Sequence, residues 1–354
     1  MNLTTYAQRE KEKPLKVAVA GLAHGHVSWI LRNDSSRNLE LVGVYDKSAE
    51  LGARLLKQFK LPESLFHSSL AKMLDDLKPE AVVAFGSIYE HLEIVKACAP
   101  RGIHVMVEKP LAVSIKHAEE MVALARKHKI HLLTNYETSW YPTTLKAYEL
   151  VYDSSTTGKM RKLVFHHGHQ GPKEIGVSKD FFDWLTDPVL NGGGALIDFG
   201  CYGANIMTWL MKGQKPLTVT AVTRQYKPEI YPKVDDEATI IVTYPEAQCI
   251  IQASWNWPYN RKDMEIYGSE GYIMADNFSD IRYRGPGMKS EVKRKVSVEE
   301  TGVYTDPFKY LNDIIRNKIK VSEFGLYSAE NNLMVVRILE AARESAKSGR
   351  TIRL

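Results

Sequence analysis

The sequence predicts a two-domain chain whose first part is a parallel α/β fold suited to a dinucleotide. Three observations carry this. At 354 residues the chain is too long for one ordinary core and suggests two domains of roughly 100–200 residues each. A β-prone run, Leu15 to Ala20, stops at Gly21-Leu22-Ala23-His24-Gly25-His26, and a helical segment follows from Val27 to Arg32. Short apolar strands then alternate with helices as far as Thr134, the pattern of a parallel sheet covered on both faces.

The turn at Gly21–His26 can bring backbone N–H groups and a helix N-terminus up to a pyrophosphate. Against Gly-x-Gly-x-x-Gly it reads Gly21, Ala23, His26, so only the first glycine is kept. The second strand, Leu39 to Tyr45, ends at Asp46, near the distance at which an acidic residue binds the adenosine ribose and repels a 2′-phosphate. That favours NAD over NADP, although Lys47 beside it would tolerate a phosphate. Asp46 also suits the N-cap of a helix from Ser48 to Phe59. Helices Ser69–Leu77, Tyr89–Pro100 and Ser114–Lys129 alternate with strands Ala81–Phe85, Ile103–Val107 and Ile130–Thr134. Gly21, Asp46, Gly86 and Glu108-Lys109-Pro110 then fall at the carboxyl ends of strands, where such sheets bind ligands.

Beyond a linking helix, Tyr141–Tyr152, the chain centres on Gly192-Gly193-Gly194-Ala195-Leu196-Ile197-Asp198 and the residues after it. The glycines read as a flexible loop before a helix. Asp198, Tyr202 and Asn205 fall on one helical face, and Leu196, Phe199, Gly203, Ile206 and Leu210 on another. The polar face is either solvated or catalytic. In the strand Leu163–Gln170, His167 and His169 share one face and His166 takes the other. Histidines at i, i+2 can bind a metal, but no carboxylate or cysteine nearby completes a set, so the reading is no metal and either a substrate-contacting face or ordinary strand polarity. Trp140, Tyr141, Trp184, Trp255, Trp257 and Tyr259 suit the C–H faces of sugars or an ordinary core. Ala238–Tyr244, Gln248–Trp255 and Met264–Tyr267 read as strands, Ile273–Val303 as an irregular excursion, and Ser328–Lys347 as a packing helix.

A net charge of +5, with scattered basic residues, does not call for nucleic acid. The three cysteines, Cys98, Cys201 and Cys249, form no disulfide framework or zinc spacing and fit a reducing compartment. No apolar run approaches the ~20 residues that span a bilayer. Residues 1–14 read as a charged leader without an apolar signal core, which implies a cytoplasmic protein. A periplasmic location would require a signal already removed ahead of this leader.

With these motifs in place the chain resembles the Gfo/Idh/MocA oxidoreductases, the family of glucose–fructose oxidoreductase and inositol dehydrogenase. The resemblance rests on the strand–turn–helix, Glu108-Lys109-Pro110, Trp184-Leu185-Thr186-Asp187-Pro188, the stretch from Gly192 to Asn205, Glu265-Ile266-Tyr267-Gly268-Ser269-Glu270-Gly271 and Glu344–Arg350, in that order. It implies a Rossmann domain over residues 15–135, and an α+β domain over 136–354 with an open, mostly antiparallel sheet. It also implies a nicotinamide cofactor, a sugar or polyol substrate, and a homodimer or homotetramer formed through that sheet. Cofactor contacts fall on Gly21, Ala23, His24, His26, Asp46, Gly86, Glu108 and Lys109. Substrate contacts fall on Tyr136, His169, Trp184, Asp198 and Tyr202. The family lysine matches Lys109, and Asp198 and Gly200 match Asp-x-Gly-x-His-x-x-Asp. Tyr202 replaces the histidine and Asn205 the second aspartate, as in the glucose–fructose oxidoreductase branch. Glu137 replaces an arginine that relatives carry after Tyr136.

The chemistry so implied is hydride transfer between nicotinamide and a secondary hydroxyl or its ketone. Tyr202 is the expected acid/base, drawn toward phenolate by Lys109, with Asp198 orienting Lys109 and a substrate hydroxyl. The converse assignment makes Lys109 the base. Two rivals stand beside this reading: a glycosidase that transiently oxidises its sugar with bound NAD, and a non-catalytic dinucleotide sensor.

Overall fold

The computed structural model describes residues 12–32 and 34–354, so the leader read over 1–14 lies mostly outside the described residues. Six parallel strands form the first sheet: β1 (Leu15–Ala20), β2 (Leu39–Tyr45), β3 (Phe66–His67), β4 (Ala81–Ala84), β5 (His104–Glu108) and β6 (Leu132–Asn135). Their order is β3-β2-β1-β4-β5-β6. The order reverses between β1 and β4, and that crevice is where such sheets bind ligands. All of β4 and nearly all of β1 are buried, because helices cover both faces and leave no solvent side for polar residues.

Helices α1 (Val27–Leu31), α2 (Ala49–Gln58), α3 (Leu70–Leu77), α4 (His91–Cys98) and α5 (Ile115–His128) flank this sheet. Ser48, Ser69 and Ser114 cap α2, α3 and α5 by accepting a backbone N–H three residues on. The cap of α2 is therefore Ser48 and not Asp46, whose carboxylate instead accepts the N–H groups of Leu22 and Ser48 at 2.8 and 2.7 Å.

After α6 (Pro142–Tyr152) the chain enters a nine-stranded sheet. Its strands are β7 (Met160–Gly168), β8 (Thr218–Arg224), β9 (Glu237–Thr243), β10 (Gln248–Ser254), β11 (Arg261–Gly268), β12 (Tyr272–Ala275), β13 (Asp280–Arg284), β14 (Val292–Lys295) and β15 (Ile352–Arg353). They are ordered β14-β13-β12-β11-β7-β10-β9-β8-β15, and every neighbouring pair is antiparallel except β7 with β10. The stretch read as an irregular excursion thus contributes three short strands, β12 to β14, that end one side of the sheet, with turns and a short helix, Val298–Thr301, between and after them. Its strands are short, with charged residues between the buried ones, which hides the alternation.

One face of this sheet is buried by α8 (Ala195–Asp198), α9 (Gly200–Leu210) and the long α12 (Ala329–Ser348). The other face leaves Val164, Ile241, Ile250 and Met274 half-buried. Two shorter helices, α10 (Val298–Thr301) and α11 (Pro307–Ile315), precede α12. Helix α11 turns back onto the first sheet, where Phe308, Leu311 and Ile314 join the core formed by Leu15, Val17 and Val19.

The glycine run is clasped, not flexible. The Asp235 carboxylate accepts the N–H groups of Gly194 and Leu196 at 3.0 and 2.7 Å, and its carbonyl accepts that of Ala195 at 3.0 Å. Arg343 of α12 donates to the Gly192 carbonyl at 2.5 Å. A Cβ on Gly194 would lie 1.8 Å from the Asp235 carbonyl oxygen, and backbone on both sides leaves nothing free to move. Gly194→Ala is accordingly expected to destabilise the protein by about 3 kcal/mol. Urea titration measures this, and a loss below about 0.5 kcal/mol would contradict the close packing.

Candidate active site

The site lies where the carboxyl ends of the first sheet meet α8 and α9. Gly21 follows β1 with φ +82°, and a Cβ there would lie 2.3 Å from the Gly86 nitrogen. No side chain fits between the ends of β1 and β4. Beside them a cleft of about 320 Å³ is lined by Gly21, Ala23, Asp46, Lys47 and Gly86, and on its far side by Asp180 and Asp183 of α7 (Lys179–Leu185). Burial raises the Asp46 carboxyl, and its two backbone hydrogen bonds oppose that shift. Lys47 is bonded to Glu90 at 2.7 Å.

Deeper in, Glu108 ends β5 and is buried. It accepts from Asn135 Nδ2 at 2.9 Å, and Asn135 accepts from the Trp140 indole at 3.0 Å. Burial alone would raise its carboxyl, but His26 and His24 beside it hold it down, at about 2. Glu108 Oε2 lies 3.2 Å from His26 Nδ1, poorly aligned for a hydrogen bond, so both atoms are left without a full partner. His24, His26 and Glu108 place ligand-type atoms within 4.8 Å of one another, close enough for a metal. The His24 tautomer opposes that use. Its Nδ1 accepts the His26 N–H at 3.1 Å, so the ring hydrogen sits on Nε2, facing Glu108 at 4.0 Å. Burial keeps this ring neutral, its pKa pushed down to about 3.

Lys109 projects from the end of β5 to α8, where its ammonium bonds the Asp198 carboxylate and, at 2.9 Å, the Asp198 carbonyl. Both side chains are 8% exposed. The second Asp198 oxygen accepts the Trp255 indole N–H at 2.9 Å. Burial alone would raise Asp198 and lower Lys109, but the pair reverses both, so the carboxylate is held low and the ammonium high.

Asp198 and Tyr202 do not share one continuous helix. The backbone breaks at Phe199, and α9 restarts at Gly200. Tyr202 still faces the site, with its ring centroid 5.0 Å from the Lys109 ammonium. Asn205 turns away, donating to the Leu326 carbonyl at 2.8 Å and to Asn332 at 3.2 Å. The expected drop of the Tyr202 phenol toward phenolate is not found. Burial pushes it well above its usual value, with Glu137 and other acidic neighbours adding to the rise. Asp198 already matches the charge of Lys109.

Tyr136, buried with an unpartnered hydroxyl, stacks edge-on to Tyr202 at 5.7 Å. His169 meets Phe199 at 4.8 Å. Trp184 sits farther off, against Phe181 and His24 at 5.1 and 5.9 Å, closer to the cofactor turn than to Tyr202's neighbours.

The sequence reading missed Lys262 and His91, and it named Trp255 and His167 without their contacts to Asp198 and Tyr202. Trp255 was read only as an aromatic. Lys262 of β11 reaches within 5.2 Å of the Tyr202 ring centroid and is ion-paired to Glu137. Buried His167 lies 5.5 Å from Tyr202, with Nδ1 unpartnered. His91 holds the Leu111 carbonyl at 3.1 Å, steadying the segment after Lys109. The only available signal was the strand pairing of Lys262 opposite His167.

Lys109→Met would leave Asp198 buried without its cation, at a cost of about 3–5 kcal/mol near pH 7. In that variant Asp198 prefers protonation, so its folded pKa lies above the unfolded value and the deficit grows as pH rises. In the wild type the pair depresses Asp198, so its contribution is present above the unfolded carboxylate value and is lost only in stronger acid. Urea titrations of both proteins at about pH 4.5 and pH 8 measure the difference. A deficit equal at both values would contradict an ionised Asp198.

Comparison with known proteins places this geometry. Residues 15–136 match the model described as oxidoreductase family, NAD-binding Rossmann fold, and residues 145–274 match the GFO/IDH/MocA C-terminal domain. The chain is 25% identical over 229 residues to trans-1,2-dihydrobenzene-1,2-diol dehydrogenase of Sus scrofa, a match covering 65% of this chain and 64% of that protein's length. It is 22% identical over 273 residues to D-xylose 1-dehydrogenase [NADP(+)] of Haloarcula marismortui, covering 75% and 71%. The structure of an inositol dehydrogenase homolog complexed with NAD+ from Azotobacter vinelandii superposes with a TM-score of 0.81 at 16% identity, over 97% of this chain and 98% of that one. With both domain models matched in order and the fold shared end to end, the chain belongs to the Gfo/Idh/MocA family of NAD-binding oxidoreductases.

Proposed function

We propose that this protein is a dehydrogenase that prefers NAD and acts on a secondary hydroxyl, or the matching ketone, of a sugar or polyol. One observation carries the reading: Lys109, at the carboxyl end of β5, is bonded to Asp198 from the other domain and stands 5.0 Å from the Tyr202 ring. The residues present fit a nicotinamide dinucleotide. Asp46 would meet the adenosine ribose, the bare ends of β1 and β4 the pyrophosphate, and His26 and Glu108, each with an unpartnered buried atom, the nicotinamide end. When bound, the nicotinamide supplies the hydride acceptor or donor.

The protein's own part is placement and proton transfer. Asp198 fixes the Lys109 ammonium and is itself fixed by Trp255. Tyr136, Phe199 and Tyr202 supply aromatic faces for the C–H surface of a sugar. Tyr202 and Lys109 both hold their protons firmly, the state that donates to a carbonyl oxygen during reduction. In the oxidising direction one of them must give its proton up, which the positive charge of an oxidised nicotinamide favours. The named relatives, a dihydrodiol and a xylose dehydrogenase, support a substrate with several hydroxyls.

Lys47, the cation that would have tolerated a 2′-phosphate, is engaged by Glu90, which supports NAD. NAD is expected to exceed NADP in kcat/KM, and Asp46→Ala to narrow that preference by about tenfold. Initial rates with both cofactors, across a panel of sugars and inositols, measure this. Faster turnover with NADP would overturn the role given to Asp46.

Oxidation should rise with pH on the alkaline side, because the acceptor must first lose its proton. The alkaline limb disappears in Tyr202→Phe if the phenol is the acceptor, and in Lys109→Met if the amine is. Full activity in both variants would end the proposal.

A further inference from the structure

The Glu137–Lys262 ion pair is more exposed than the Lys109–Asp198 pair and stands beside Tyr202. Glu137 follows β6 in a short turn just past the end of the first domain, and Lys262 comes from β11 of the second sheet. Their side chains are 33% and 20% exposed, against 8% for Lys109 and Asp198. The Tyr141 hydroxyl donates to the other Glu137 oxygen at 2.7 Å and fixes the carboxylate plane. Lys262 stands 5.2 Å from the Tyr202 ring centroid, so whatever touches the phenol lies within reach of the pair.

We propose that Glu137 and Lys262 form a subsite that selects uncharged polyhydroxy substrates over acidic ones. The inference rests on the dehydrogenase reading above and names the substrate class of that site. A hydroxyl both donates and accepts, and the pair presents a carboxylate acceptor beside an ammonium with spare donors. Adjacent hydroxyls of a sugar or polyol can satisfy both. A carboxylate or phosphate on the substrate cannot, because it meets Glu137 as a like charge and finds Lys262 already matched.

The wider charge balance points the same way. Two ammonium groups, Lys109 and Lys262, face three carboxylates, Asp198, Glu137 and Glu108. Buried His167 beside Tyr202 and half-buried His169 against Phe199 add no positive charge, with pKa values pushed down to about 3 and about 4. Burial alone would raise Glu137, but Lys262 overrides it and keeps the carboxylate ionised.

The test compares glucose, galactose and xylose with glucuronate and galacturonate. Both kcat/KM with NAD and calorimetric binding in the presence of NADH are measured. Neutral sugars are expected to be favoured by at least about tenfold in the wild type. Glu137→Gln should reduce that ratio by about tenfold, and Lys262→Met should raise KM for neutral sugars more than it lowers kcat. A wild type that prefers the uronates, or a ratio unchanged in both variants, would overturn the subsite. If the sugars bind with the expected ratio but none is oxidised, the dehydrogenase reading fails and the subsite stands. If neither class binds, the subsite fails as well.

Discussion

The buried pair of Lys109 and Asp198 is the constraint on which the rest of the site depends. It joins the end of a Rossmann strand to a helix of the other domain, so Lys109, Asp198 and Tyr202 come together only when both domains are folded and docked. Such a pair adds little net stability, because desolvation offsets most of the attraction. Its worth is positional: a lone Asp198 or a lone Lys109 would be costly in this setting. The Trp255 indole on the second carboxylate oxygen removes the remaining freedom of Asp198. Lys109 is fixed in turn by two acceptors of one residue.

Asp198 can reach Lys109 because of the backbone that leads to it. Asp235 accepts two N–H groups of the glycine run, and a third goes to its carbonyl. Arg343 ties the start of the run to the C-terminal helix. Gly194 is needed here for close approach, since a side chain would occupy the place of the Asp235 carbonyl, and Gly192 for its φ of +89°. The break at Phe199 then separates two jobs. Residues before it present Asp198 to the first domain. Residues after it turn Tyr202 toward the site and Asn205 toward α12, where it serves packing.

What was legible in the sequence follows from the physics of each part. The parallel strands of the first sheet are buried on both faces, so they stand out as apolar runs, and strand ends marked by Gly21, Asp46 and Lys109 could be placed without coordinates. The second sheet was partly legible, because its central strands alternate cleanly. Its edge strands were not, since short charged edges resemble loops. Tyr202 and Asp198 were found from helical spacing, although the spacing wrongly carried Asn205 with them. Lys262 escaped because strand register, and not local pattern, brings it opposite His167, while Trp255 and Glu137 were noted without the partners that bring them to the site. The environment of Tyr202 was the largest misreading. A lysine nearby suggests a low phenol pKa only while its charge is unmatched: Asp198 was expected to orient Lys109 but not counted as matching its charge, and the Glu137–Lys262 pair was not foreseen.

That matching has a consequence for how the site handles protons. A phenolate at Tyr202 would be created in a buried place next to two ammonium groups whose attraction is already spent on carboxylates. Without another positive charge, burial decides the outcome, and the phenol stays protonated. The same holds for Lys109, which would have to abandon Asp198 to become neutral. The resting site therefore stores protons on both candidates and keeps carboxylates as its only ionised bases. On the proposed reading, an added positive charge near Lys109 and Tyr202 would lower both groups together.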